Sequence, residues 1–296
     1  MHRSTLLGTI SLIWVLNAPT VLAATLTTDL SIVASDAAGV QPFVEAFRAV
    51  LGSDNGTSPV NADPNGRREI DWDDAVVDVV APNTFPGDYY NQNDTPLARG
   101  IAFEATGDTE GFAISASAGF GEPVRFDRPN DFFPYSQERL FSPVGGTTFD
   151  ISFFDPSTQV DPALSRGLGI VFSDVEVAGA TTITLFDIDG NELLTRAALA
   201  GASGGLSFVG VIFDEPTIAR ASITSGNIPI GAAGLAFGET ATEDSVVLDD
   251  LIFGEPVPVD LEVIPLPAGL PLGLAGLGAL AFVLHRKNRK ASAPLT

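Results

Sequence analysis

The sequence predicts an all-β protein, an antiparallel β-sandwich of jelly-roll type preceded by one short helix. Three observations carry this expectation. From about residue 100 onward, short apolar runs recur between turn formers at regular spacing, the pattern of a sandwich. In "TFDISFF", Phe149, Ile151 and Phe153 alternate with Thr148, Asp150 and Ser152, the two-residue period of a half-buried strand. Phe dominates the aromatics, 20 against 3 Tyr and 2 Trp, which suits a thick core between two sheets.

Taken in order, the chain opens with a secretory signal. Arg3 supplies a positive start, residues 5–16 are apolar, and Val21 and Ala23 stand at −3 and −1 of a small-residue cleavage site, so Ala24 begins the mature chain. An uncleaved anchor is the competing reading, and the short apolar run argues against it. Residues 24–99 read as a helix and a loop-rich lead segment packed on the sandwich. In "VQPFVEAFRAVLG", Phe43, Phe47, Val50 and Leu51 fall at helical spacing and Gly52 terminates the helix. Residues 53–66 and 82–96 are dense in turn formers and predict exposed loops.

The sandwich itself spans 100–256. Its strand candidates are "IAFEA", "GFAISAS", "TFDISFF", "LGIVFSDVEV", "TTITLFDI", "NELLTRAAL", "LSFVGVIFD", "IARASITSG" and "SVVLDDLIFG". Asp189-Gly190, set between two of these runs, is a strong hairpin signal. A linker at 257–265 leads to an apolar, uncharged run at 266–284. As a helix that run would cover roughly 28 Å, the thickness of a bilayer core. His285, Arg286, Lys287, Arg289 and Lys290 follow at once, a cytoplasmic stop-transfer cluster.

Composition narrows the chemistry. The net charge is −22, and between Asp29 and Glu262 ten arginines stand against all 37 acidic residues, a balance of −27. Such a field repels nucleic acid and attracts divalent cations. There is no Cys, and both His and every Lys lie in the terminal segments. The exported region therefore has no Ser–His–Asp triad, cysteine nucleophile, Schiff-base lysine or His/Cys zinc site. We read the protein as non-catalytic. The enzyme alternative is a carboxylate-dependent glycan-active enzyme, and a third reading is a structural or adhesive surface protein.

The order Ile264, Pro265, Leu266, Pro267, Ala268, then an apolar Gly/Leu-rich run and a basic cluster, closely resembles the VPLPA-CTERM subclass of PEP-CTERM sorting signals, with Ile264 where the family has Val. The resemblance implies a Gram-negative protein exported by the Sec translocon and held transiently in the inner membrane. An exosortase-type membrane transpeptidase would then cut near the Pro-rich motif and release the protein to the cell surface or matrix, where extracellular polysaccharide is the implied partner. The run from "LFDIDGNELL" to "DDLIFGEP" resembles a jelly-roll ectodomain frequent in proteins with such tails. Replacing residues 265–268 with unrelated residues is expected to leave uncleaved protein in the inner membrane; identical processing of altered and native chains would reject the sorting signal.

Two sets of site candidates follow. In "SVVLDDLIF" both strand faces are apolar apart from one acid each, so Asp249 or Asp250 must point at apolar surroundings. Carbohydrate-binding jelly rolls commonly hold a structural calcium by a last-strand carboxylate, and the resemblance implies Ca²⁺ at Asp249 and Asp250. The competing reading is a bulge or strand end that turns the acid outward, or an ion pair with Arg166 or Arg220. "DIDGNE" superficially resembles a calcium loop but lacks its distal Glu, so a plain hairpin is preferred. Trp72, and Tyr89 with Tyr90, are candidates for stacking on a sugar ring; for Trp72 the competing reading is a core residue at a strand start.

Overall fold

Two antiparallel sheets enclose the core. One runs in the order β1 (Leu26–Ala34), β11 (Leu206–Phe213), β8 (Gly167–Ser173), β13 (Val247–Gly254), β5 (Phe141–Val144), β4 (Gly111–Ile114), and β2 (Arg67–Ile70) also pairs with β13. The other runs β10 (Glu192–Ala197), β9 (Thr182–Phe186), β12 (Arg220–Thr224), β6 (Thr148–Phe153), β3 (Ile101–Ala105). A two-stranded ribbon joins β7 (Ala163–Leu164) to β14 (Val257–Pro258). This computed structural model describes residues 24–59, 62–93, 97–119, 121–231 and 239–259. The expected signal peptide with its Ala23–Ala24 cleavage site, the Pro-rich motif, the apolar run and the basic cluster lie outside them, apart from Ala24 itself. Among the described residues no helix is long and apolar enough to cross a membrane.

Each of the nine proposed runs contains a strand, because each is a short apolar-rich run bounded by turn formers. Strands β6, β9 and β12 alternate buried and partly exposed residues, so the smaller sheet faces water on one side. Strands β8, β11 and β13 are buried at every position, because their outer face is covered too. Strand β1 pairs with β11 along its length and β2 with β13, so the lead segment is part of the larger sheet as well as packed on it.

The cover is helix α1 (Ala37–Leu51). Asp36 caps its start by accepting the Gly39 N–H at 3.0 Å. Gly52 ends it at φ +96°, where a side chain is strained, and donates to the Arg48 carbonyl. The buried stripe is Val40, Val44, Phe47 and Leu51, packed on Leu206, Phe208, Ile212 and Ile252. Phe43 and Val50, expected to share that stripe, are 38% and 47% exposed. The helix is turned by the seat of Phe47, which rests on Gly169 and Gly210, paired across β8 and β11. A Cβ on either glycine would stand 2.7 Å from its ring.

Candidate functional site

The site forms where β13 departs from regular pairing. Leu248 lies opposite Phe172 and Leu251 opposite Ile170, so Asp249 and Asp250 share the one place opposite Val171. This is a β-bulge. Its consequence is a change of parity: Val246, Leu248, Leu251 and Phe253 all reach the core between the sheets, while Ile252 packs under α1. The bulge removes the conflict that strict alternation imposes, because neither acid need enter that core.

Both acids instead meet protein donors. The Asp249 carboxylate accepts from the Ser136 hydroxyl at 3.0 Å, from the Ser136 N–H at 3.2 Å and, in a short bond, from the Tyr135 N–H. Asp250 Oδ2 accepts from Arg48 Nη2 at 2.9 Å. Arg48 also grips Glu69 on β2 with Nε and Nη2, at 3.0 and 2.6 Å, and Glu45 with Nη1 at 2.9 Å. Where a cation was expected beside Asp249 and Asp250, the Arg48 guanidinium stands against Asp250. Among the described residues, neither acid belongs to a cluster of three carboxylates within coordinating range. The partner is Arg48, not Arg166 or Arg220. Arg166 donates to the Val50 and Leu51 carbonyls at the end of α1, and Arg220 pairs with Asp150 at 2.7 Å.

Satisfaction is incomplete. Asp250 is 3% exposed and its Oδ1 has no hydrogen-bond partner. Burial, opposed by Ser136 and Arg48, pushes its carboxyl up to about 6. Burial and then the Asp250 charge also push the Asp249 carboxyl up. Asp250 lines a cavity of about 350 Å³, near the small end of ligand pockets at roughly 300–1,000 Å³. Asp54, Glu69, Asp71, Asp74 and Asp250 line it with Arg48, Arg99, Ser136, Gly56 and Thr57.

Its walls are held from both sides. Arg68, fully buried, forms a fork on Glu255 with two bonds of 2.7 Å and donates to the Ser58 and Gly56 carbonyls at 2.9 and 3.2 Å. It thereby pins the turn-rich 53–59 segment as the rim. On the other side Tyr90 donates to Asp74 at 2.6 Å and Arg99 pairs with the same carboxylate. Arg99 Nε and Nη1 are buried without a partner.

The aromatic candidates are corrected by their burial. Trp72 and Tyr90 are fully buried and Tyr89 is 4% exposed. Trp72 stacks on Phe141 at 4.3 Å between ring centres, and its indole N–H donates to the Asp249 carbonyl at 2.6 Å. A sugar ring has no access to these faces. They pack the core behind the cavity, and Tyr90 serves it through its hydroxyl. The "DIDGNE" stretch is a hairpin turn in which Asp187 accepts from the Asp189 and Asn191 N–H groups at 3.0 and 2.8 Å.

A second acidic group lies elsewhere. One carboxylate oxygen each from Asp174, Glu176 and Glu239 falls within 4.8 Å of the others, an arrangement able to hold a metal ion. Sequence reasoning missed it because its members lie up to 65 positions apart with no motif spacing.

No protein-family model matches the chain, and no curated protein matches it. Among solved structures, the enzymatically active domain of tailspike protein 4 from bacteriophage CBA120 is similar at 12% identity, over 60% of this chain and 21% of that one, with a TM-score of 0.22. So slight a likeness bears on neither fold nor function.

Proposed function

We propose that this is an exported, non-catalytic protein of the cell envelope or extracellular matrix that binds or organises polysaccharide, with the cavity beside Asp250 as its saccharide site. One observation supports it above the rest: a buried, partnerless carboxylate oxygen, on an acid with raised pKa, beside a small polar cavity. Carboxylates accept hydroxyl protons and guanidinium groups donate to ring and hydroxyl oxygens, so the lining matches a polyhydroxylated ligand. Stacking plays no part in this reading.

The test is binding of the full chain, in mild detergent, to a polysaccharide panel that includes the host matrix. Asp250→Asn is expected to weaken binding about tenfold or more, as loss of a charge-assisted hydrogen bond would. The same substitution is expected to stabilise the fold. A carboxyl raised from 3.8 to about 6 opposes folding at neutral pH by about 2–3 kcal/mol, and Arg48 keeps Glu69 and Glu45 as partners.

The pH dependence follows. The folded chain holds this proton up to about pH 6 while the unfolded chain releases it near 4, so stability from this group declines as pH rises through that window. Asp73, pushed up to about 6 by burial and then by Asp71, acts in the same direction. Asp250→Asn should therefore raise the melting temperature at pH 7, leave it nearly unchanged at pH 4, and flatten the slope between. Weakened binding together with lost stability would reject the assignment.

A carboxyl titrating near 6 in a carboxylate-lined cavity also favours a second reading, a glycan-active enzyme with Asp250 as general acid. Release of shorter saccharides, abolished by Asp250→Asn, would establish that reading. No binding together with self-association would point to the structural role.

A further inference from the structure

We propose that Asp174, Glu176 and Glu239 bind one calcium ion, at a site separate from the saccharide cavity and independent of that reading. Asp174 and Glu176 come from the segment just after β8 and Glu239 from the stretch before β13, yet each brings an oxygen within 4.8 Å of the others. Acidic residues cluster on many surfaces, so the argument turns on Asp174. Its side chain is fully buried, Oδ1 accepts from the Gly204 N–H at 2.7 Å, and Oδ2 has no hydrogen-bond partner. A buried carboxylate oxygen without a donor is unfavourable unless a cation or a proton meets it, and three carboxylates gathered at one point favour the cation.

The other ligands are positioned for the same ion. Glu239 is held through Oε1 by the Ser245 N–H at 2.7 Å and by Arg128 at 2.9 Å. The Asp244 carboxylate accepts from the Glu176 and Val177 N–H groups at 3.2 and 2.9 Å, which fixes the backbone that presents Glu176. Glu176 itself is exposed, so the ion has a way in from solvent.

The charges also call for a cation. Glu176, Glu239 and Asp131 act on Asp174, Glu239 and Glu176 act on Asp244, and Arg128 pairs with Asp131 and Glu239. With oxygen the only donor element, the site suits a hard ion. Calcium accepts six to eight oxygens in irregular geometry, with water completing the shell, whereas magnesium demands near-ideal octahedral placement.

Calorimetric titration of the chelator-treated full chain with calcium chloride tests this. One ion per chain is expected, with a higher melting temperature in calcium than in chelator. Glu176→Gln changes an exposed side chain and should preserve the fold, yet weaken calcium affinity about tenfold or more through lost ligand charge; Asp174→Asn should do the same. Absence of stoichiometric binding would overturn the proposal, as would affinity unchanged by both substitutions. So would binding that survives Glu176→Gln but is lost in Asp250→Asn, which would return the ion to the β13 bulge.

Discussion

Arg68→Ala is expected to destabilise the protein by about 3–5 kcal/mol, the usual consequence of removing one partner from a buried ion pair. Arg68 is fully buried, and Glu255 is 6% exposed. Without the guanidinium, the Glu255 carboxylate keeps only the Asn55 amide, at 2.8 Å, among the side-chain donors that now hold it. At about 2–4 °C per kcal/mol for a domain of this size, the melting temperature should fall by roughly 10 °C. The loss should also reach the cavity. Arg68 ties the Gly56 and Ser58 carbonyls to the sheet, and Gly56, Thr57 and Asp54 form the rim. Saccharide affinity should therefore weaken even at temperatures where the variant is folded. Thermal unfolding and binding measured on the same sample check both. An unchanged melting temperature would mean that the fork on Glu255 contributes little.

Trp72→Ala is expected to cost about 3–5 kcal/mol, the range for deleting a large aromatic from a packed core. The indole stacks on Phe141 and meets the edges of Phe85 and Tyr90 at 6.1 Å each, so its removal leaves a cavity walled by rigid rings. It also deprives the Asp249 carbonyl, at the bulge, of its 2.6 Å donor. Trp72→Phe retains most of the packing and should cost about 1–3 kcal/mol, chiefly the lost hydrogen bond. The pair separates two roles for Trp72. A core role predicts that stability falls with each substitution while the folded Phe variant still binds saccharide. A stacking role predicts the reverse, lost affinity at constant stability.

Much of the secondary structure was legible because it rests on neighbours along the chain. The alternation in β6 shows which residues face the core, and Asp189-Gly190 marks the turn between β9 and β10. Gly52 marks the end of α1 because only a residue free of Cβ adopts φ +96° without strain. Even so, the buried stripe of α1 was placed on Phe43 and Val50 when it lies on Val40 and Val44. The seat of Phe47 is a pair of glycines on two strands far away in sequence.

The site was legible only in part. That Asp249 and Asp250 posed a problem could be read from "SVVLDDLIF", since a strand of regular parity must bury one of them. How the problem is resolved could not, because a bulge is a property of two paired strands and not of one. Arg48 reaches Asp250 across 202 positions and Arg68 reaches Glu255 across 187. The carboxylates of the Asp174 cluster likewise come from separate segments.

The sequence alone thus determined an acidic chain without Cys, His or Lys chemistry in its middle, and its β-rich folding. Those follow from residue types and from periods of two and 3.6. Only the tertiary structure decided that Trp72 is core, that Arg48 stands beside Asp250, and that Asp174 meets Glu239. Pairing of distant charges depends on strand register and burial, and those exist only once the two sheets have closed.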